Sequence, residues 1–284
     1  MATTFDLVVD GQQVSVESGE TILQVLRRLG VDTPTLCYHD NLKPAKACRA
    51  CVVEVEGSRA LVASCERQAE PGMTIHTASE RVRRARKGVF ELLASESDLT
   101  LTPTYQTQAP QYDVEPTHYG GARWDQPLLD DNGLYVRDYS KCILCYRCVE
   151  ACGVEAQNTF AIALSGRGFD SGINTGYDQT LPDSACVFCG NCVAVCPTGA
   201  LMDSTEHALR SKGQWQPENQ EVVQTTCPYC GVGCQLELHV DHELDQIVKV
   251  TSPERHDITL GNLCVKGRYG WAYVQRNGAP PPNS

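Results

Sequence analysis

Residues 142–152 read CILCYRCVEAC, and residues 186–197 read CVFCGNCVAVCP. Both carry the spacing C-x2-C-x2-C-x3-C. A thiolate is a soft ligand that suits iron–sulfur clusters or zinc. Three cysteines this close can wrap three corners of a four-iron cube, while a helix carries the fourth away to a second cube. Zinc ribbons use two C-x2-C knuckles and have no use for a third cysteine in each. The runs therefore predict two [4Fe–4S] clusters with exchanged fourth ligands. Cys142, Cys145, Cys148 and Cys196 would hold one; Cys186, Cys189, Cys192 and Cys152 would hold the other. Pro197 follows the second run as this two-cluster pattern expects, whereas Gly153 follows the first.

The remaining cysteines fall into step with these. The chain has 16, and all of them sort into quartets. Cys37, Cys48, Cys51 and Cys65 are spaced C-x10-C-x2-C-x13-C, which keeps the middle C-x2-C of the plant-type [2Fe–2S] pattern with a longer first loop. Zinc is the alternative there. Cys227, Cys230, Cys234 and Cys264 are spaced C-x2-C-x3-C-x29-C, which by spacing alone fits zinc or a [4Fe–4S] cube.

Composition agrees with small modules stapled by metal. Of 284 residues, 42% are hydrophobic but only 7% aromatic, and cysteine supplies a good part of the apolar total. That favours several small cores over one large one. A formal charge of −11 argues against nucleic acid as a partner. The opening MATTFDLVVDGQQ has neither the basic nor the apolar region of a signal peptide. No apolar run approaches the roughly 18 residues of a membrane span. A cytoplasmic setting is expected, in which clustered cysteines point to metal before disulfides.

Outward from the two runs, the chain divides as follows. Residues 1–78 read as a β-grasp [2Fe–2S] domain: FDLVVD and QQVSVES alternate around Asp10-Gly11, a hairpin signal. TILQVLRRL follows as a helix, with Thr21 or Ser18 as N-cap and Gly30 as stop. CVVEVEG, ALVASCE and GMTIHT are strands. Residues 79–137 read as a helix plus an extended connector. Val82, Ala85, Val89 and Leu92 form the helix's apolar stripe, and the run RVRRARK at 81–87 reads as its solvated side before it reads as a docking patch. Residues 138–212 hold the two ferredoxin-like runs, with GRGFDSG at 166–172 as a hairpin turn. No GxGxxG stands between a predicted strand and helix, so no nucleotide fold is indicated. Residues 213–222 are a linker. Residues 223–274 form a small β-rich [4Fe–4S] domain in which CQLELHV and QIVKVTS are strands. Residues 275–284 are a flexible tail. His239 and His242 flank a turn and are expected on the surface. Trp124, Trp215 and Trp271 read as packing or interface residues. The fold class is α+β and modular.

VRDYSKCILCYRCVEAC, GRGFD and CVFCGNCVAVCPTGAL closely resemble the alpha subunit of NAD-linked formate dehydrogenases. Residues 1–212 resemble the N-terminal part of the large iron–sulfur subunit of complex I and of multi-cluster hydrogenases. Residues 223–274 resemble the small iron–sulfur domain of molybdopterin oxidoreductases, which makes a [4Fe–4S] cube the expected occupant of the fourth quartet. The resemblance implies that Lys266, two residues after Cys264, lies between that cube and a pterin. It also implies a further cluster bound by one His and three Cys. At the corresponding stretch, LLASESDLTLT, Ser95 stands at the His position and Leu99 and Thr102 at two Cys positions. No cysteine lies between Cys65 and Cys142, and rescue by His76 or His118 would lack thiolates, so that cluster is expected to be missing. No molybdopterin or flavin is expected in this chain.

The expected function is an electron-relay subunit with one [2Fe–2S] and three [4Fe–4S] clusters and no active site of its own. A flavin- and NAD(P)-binding diaphorase subunit and a catalytic subunit, a hydrogenase or formate dehydrogenase, are the expected partners. The alternatives are the electron-input half of a split molybdenum or tungsten formate dehydrogenase, a free multi-cluster ferredoxin, and a zinc-bound scaffold.

Overall fold

The structure is a computed structural model that describes residues 3–121 and 126–276. The chain forms two compact units. The first comprises residues 1–38, 44–125 and 140–145; the second comprises 39–43, 126–139 and 146–284.

The first unit opens with strands β1 (Thr4–Val9) and β2 (Gln12–Glu17), paired antiparallel in full register. Asp10 at φ 47 and Gly11 at φ 86 both take the left-handed region, the twist a two-residue hairpin needs. Helix α1 (Ile22–Arg28) starts on a reciprocal cap. Thr21 Oγ1 accepts from the Gln24 amide, and Gln24 Oε1 accepts from the Thr21 amide at 2.7 Å. Two orphan amide donors of the first turn are thereby satisfied. Strands β3 (Val52–Val55), β4 (Val62–Ala63) and β5 (Thr74–His76) complete a five-stranded sheet of order β2-β1-β5-β3-β4. β1 and β5 run parallel; the other pairs are antiparallel. Val9, Val16, Val25, Leu26, Val53 and Ile75 are among the buried residues that α1 and the sheet share as a core.

Helix α2 (Glu80–Glu96) starts at Ser79, whose hydroxyl caps the Val82 amide. Its buried face corrects the expected stripe. Val82, Arg86, Phe90 and Ala94 point inward at i, i+4 spacing, while Leu92 is 52% exposed. Arg86 takes the inward place expected of Ala85, and its two terminal nitrogens donate to Tyr112 Oη at 2.8 Å and Val52 O at 3.0 Å. Arg81, Arg83 and Arg84 are exposed, as expected of the solvated side.

The segment after α2 also differs from an extended connector. Helix α3 (Pro103–Gln108) runs into a 3-10 turn at Ala109–Tyr112. Tyr105 meets Phe90 edge-on at 5.8 Å and Tyr112 stacks on it at 6.1 Å. Pro103 at the first helical turn marks the start; the six-residue PTYQTQ is too short to show a period.

The second unit contains β6 (Tyr135–Arg137), α4 (Arg147–Cys152), β7 (Ile162–Ser165), β8 (Gly172–Thr175), α5 (Asn191–Ala194), β9 (Leu201–Asp203) and α6 (Ser204–Ser211). β6 pairs with β9 and β7 with β8, both antiparallel. GRGFDSG spans the β7–β8 connection. Ala151 of α4 and Val195 just after α5 pack with Leu42. Then β10 (Gln220–Thr226), β11 (Gln235–Asp241) and β12 (Gln246–Thr251) form a three-stranded antiparallel sheet, and α7 (Val265–Tyr269) follows. β10 overlaps the expected linker. Six of its seven residues are exposed, so pairing with β11, not burial, makes it a strand. His239 is half-buried and its Nε2 lies 2.9 Å from Thr251 Oγ1, while His242 is exposed and pairs with Glu221.

Among the described residues no helix is long and apolar enough to cross a membrane. Trp124 and residues 277–284 of the expected tail lie outside the described residues.

Candidate metal centres

The first quartet sits where the loop after α1 returns to the sheet. Cys37, Cys51 and Cys65 are buried and Cys48 half-buried. Leu23, Ala63 and Tyr38 pack around Cys51 and Cys65, with Arg27 over the Tyr38 ring. The Cys37 thiol hydrogen-bonds to Cys48 and, with the Ala50 backbone, lowers Cys48 to about 6. Cys65 does the same to Cys51, which falls to about 7. Cys37 and Cys65 move up, through those same hydrogen bonds and burial. Cys65 also feels the charges of Cys51, Cys37 and Cys48, so the structure brings all four sulfurs together. Lys46 at φ 60 and Arg49 at φ 59 curl the loop that carries Cys48 and Cys51.

The two ferredoxin-like runs share a local backbone. Leu144 (φ 51) and Tyr146 (φ 65) in the first match Phe188 (φ 54) and Gly190 (φ 70) in the second. A left-handed residue on either side of the middle cysteine turns successive amides inward, the geometry of an anion-binding nest. Leu and Phe seldom adopt positive φ, so the surrounding structure must hold them there. In the second run the Phe188 amide lies 3.4 Å from Cys186 Sγ.

Cys152, Cys186, Cys189 and Cys192 line one cavity with Ile162 and Leu181. Cys192 is pushed far up by burial, and next by the charges of Cys189, Cys152 and Cys186. Burial and the neighbouring thiols together oppose ionisation of Cys192 unless positive charge enters with it. That is the chemistry of a cluster site, and the donor set fits it. Cys152 Sγ accepts from the Ala161 amide at 3.2 Å and lies 3.3 Å from Thr159 Oγ1. The Tyr135 hydroxyl is 3.3 Å from Cys186 Sγ. Burial raises Tyr135 first, and neighbouring cysteine charges add to it, so the phenol keeps a proton to offer a charged sulfur. Such donors stabilise charge on sulfur and tune a bound cluster.

Of the other proposed set, Cys142 and Cys145 belong to the first unit and Cys148 and Cys196 to the second. Ser97 Oγ donates to Cys142 O at 2.9 Å, and Lys141 pairs with Asp98 at 3.2 Å. Thr198 Oγ1 lies 3.8 Å from Cys196 Sγ. Ser95, Leu99 and Thr102 are all buried, Leu99 within the Phe90 core. His76 pairs with Glu56 and His118 with Glu115.

The fourth quartet is built by strand ends. β10 delivers Cys227, β11 begins after Cys234, and Cys264 is the N-cap of α7. The Cys227 amide donates to Cys234 O at 2.8 Å. Cys234 is raised by burial and then by Cys227, Cys230 and Cys264, so these four sulfurs are also neighbours. Leu236, Val250, Leu263 and Trp271 support them from below. Cys230 and Cys264 are exposed, as is Lys266. Among the described residues there is no disulfide, and no three His, Cys, Asp or Glu side chains gather as around a single ion.

Sequence reading missed the polar residues that hold the sites. Tyr135, Thr159, Asn191 and Arg268 carry no spacing signal; only the Gly-Asn pair between Cys189 and Cys192 hints at a constrained loop.

Comparison with known proteins follows the same divisions. Residues 2–80 match the 2Fe-2S iron-sulfur cluster binding domain, 141–200 the 4Fe-4S dicluster domain, and 220–276 the molybdopterin oxidoreductase Fe4S4 domain. The alpha subunit of the NADPH-Fe(3+) oxidoreductase of Geobacter sulfurreducens is 32% identical over 94% of this chain and 31% of its own length. NADP-reducing hydrogenase subunit HndD of Solidesulfovibrio fructosivorans is 37% identical over 77% of this chain and 39% of its own. An NADH-quinone oxidoreductase protein of Rhizobium meliloti is 31% identical over 95% of this chain and 31% of its own. The chain thus spans about a third of the length of these curated relatives. In fold it is similar to a chain of an NAD+-reducing [NiFe]-hydrogenase crystallised in the H2-reduced state. The TM-score is 0.63 at 26% identity, covering 71% of this chain and 88% of that one.

Proposed function

We propose, from the premise that this chain resembles the iron–sulfur region of NAD(P)-linked oxidoreductases, that it is an electron-transfer subunit of a multi-subunit cytoplasmic oxidoreductase. The observation that carries this reading is the gathering of thiols into the first, third and fourth quartets, each inside one unit. Iron–sulfur clusters bound there would supply one-electron transfer. The chain's own residues bind, shield and tune. Cys37, Cys48, Cys51 and Cys65 would hold a [2Fe–2S] cluster on a β-grasp domain. Cys142, Cys145, Cys148 and Cys196, and Cys186, Cys189, Cys192 and Cys152, would hold two [4Fe–4S] clusters in a ferredoxin-like domain. Cys227, Cys230, Cys234 and Cys264, the fourth quartet, would hold a further [4Fe–4S] cluster in the last domain.

A diaphorase subunit binding flavin and NAD(P) and a hydrogenase or formate dehydrogenase catalytic subunit are the proposed partners. Exposure of Cys230, Cys264 and Lys266 favours the fourth site as the port toward the catalytic partner. It equally supports the second reading, in which that partner carries molybdopterin. Purification of the native assembly separates the two: nickel points to a hydrogenase, molybdenum or tungsten to a split formate dehydrogenase. Cys264→Ala should cut electron transfer to the catalytic partner while the other clusters stay reducible. Undiminished transfer would remove the fourth site from the path.

A further inference from the structure

The third quartet (Cys152, Cys186, Cys189 and Cys192) and the fourth (Cys227, Cys230, Cys234 and Cys264) lie in the same unit, and one side chain reaches from the loop of the one to the loop of the other. Arg268 sits in α7, four residues after Cys264, and is 3% exposed. Its amide donates to Cys264 O at 3.0 Å. Its guanidinium Nε donates to Cys189 O at 2.9 Å, and a terminal nitrogen donates to Asn191 Oδ1 at 3.0 Å. Asn191 Oδ1 also accepts from the Leu263 amide, next to Cys264, at 3.0 Å. Both ligand loops therefore hang on one guanidinium–amide knot. The next residue, Tyr269, stacks at 6.3 Å on Tyr135, whose hydroxyl meets Cys186 Sγ. The knot also explains Gly190: a Cβ there would collide with the Arg268 side chain and the Tyr269 hydroxyl.

We propose that Arg268 is the positioning residue that fixes the fourth site against the third and raises the reduction potential of the third. The proposal rests on the cluster assignment above. The route it creates is continuous: from Cys264 through its carbonyl to the Arg268 amide, along the side chain, and across Nε–H to the Cys189 carbonyl. An electron exchanged between the two sites leaves one and enters the other, with no atom moved. A buried guanidinium beside Cys189 favours the site that has gained negative charge, because burial leaves it weakly screened.

The test is redox titration of the holoprotein by electron paramagnetic resonance, after iron content has been measured, on wild type, R268Q and R268K. R268Q removes the charge and should lower the third cluster's midpoint by the equivalent of about a tenfold change in its reduced-to-oxidised ratio, about 59 mV for one electron. R268K keeps the charge and should retain most of the wild-type midpoint. Magnetic coupling between the third and fourth clusters should weaken in both variants, since neither side chain can tie both loops. If R268Q fails to retain iron, N191D replaces it, setting a carboxylate against the guanidinium with the volume kept; the same downward shift is expected. An unshifted midpoint with full iron content overturns the proposal, as does an equal shift in R268Q and R268K. Wild-type protein lacking the four clusters would instead overturn the assignment beneath it.

Discussion

At the scale of single residues, the sites depend on a few positions whose backbone or hydrogen bonds have no substitute. Gly190 at φ +70 faces Arg268 and Tyr269 without room for a Cβ. Gly190→Ala should therefore cost about 1–3 kcal/mol in chemical denaturation from backbone strain alone, more if Arg268 is displaced. Arg86 is another such position. Arg86→Met would leave Tyr112 Oη and Val52 O without their donor, and should destabilise by about 1–3 kcal/mol. A loss no greater than that of an exposed neighbour such as Arg84→Met would contradict the buried role. Gly190 was hinted at by the Gly-Asn pair, but Arg86 was not legible in the sequence. Arg86 lies in a run of basic residues and is told from them only by the partners that folding brings to it. The cysteines were legible because their spacing is short-range and chemical, and needs no tertiary contact to be recognised.

At the scale of elements, α6 and β12 are clasped by charge. Lys249 Nζ lies 2.7 Å from Glu206 Oε2, and Arg210 holds the other oxygen at 2.7 Å. Burial pushes the Glu206 carboxyl up, but Lys249 and Arg210 outweigh it and hold it below its ordinary value. A carboxylate depressed in the folded state adds stability that is full above its unfolded pKa, about 4.3, and is lost as pH falls through the lower folded value. Glu206→Gln should thus cost about 1.5–3 kcal/mol at pH 7 and flatten the acid limb of the stability–pH curve below about pH 4.3. An unchanged acid limb would show that the clasp contributes nothing. The hairpin β1–β2, helix α1 and the strands β3, β4 and β5 were readable from alternation, Asp10-Gly11 and Thr21. Helix α3 and strand β10 were not. The first has one turn and a half of polar residues behind Pro103; the second is exposed along its length and exists only through pairing with β11. The apolar stripe of α2 lies a fraction of a turn from the expected one, because Arg86 buries its apolar stem while its two terminal nitrogens find acceptors.

At the scale of the whole molecule, metal bound at the four sites would be part of the fold. The loops at 36–51, 142–152, 186–196 and 227–234 carry positive-φ residues, and apart from the short helices α4 and α5 they have no regular structure of their own. Removal of iron should open them, since metal-binding free energy is also folding free energy. Limited proteolysis should cut the iron-depleted chain within those loops while β1–β2 and β10–β12 persist; a digest identical with and without iron would contradict this. The central claim is that sixteen thiols hold one [2Fe–2S] and three [4Fe–4S] clusters. The iron and acid-labile sulfide content of the anaerobically purified chain tests it most directly. About 14 iron atoms and an equal number of sulfides per chain are expected. A colourless protein with stoichiometric zinc, or iron well below that figure after full reconstitution, would contradict it.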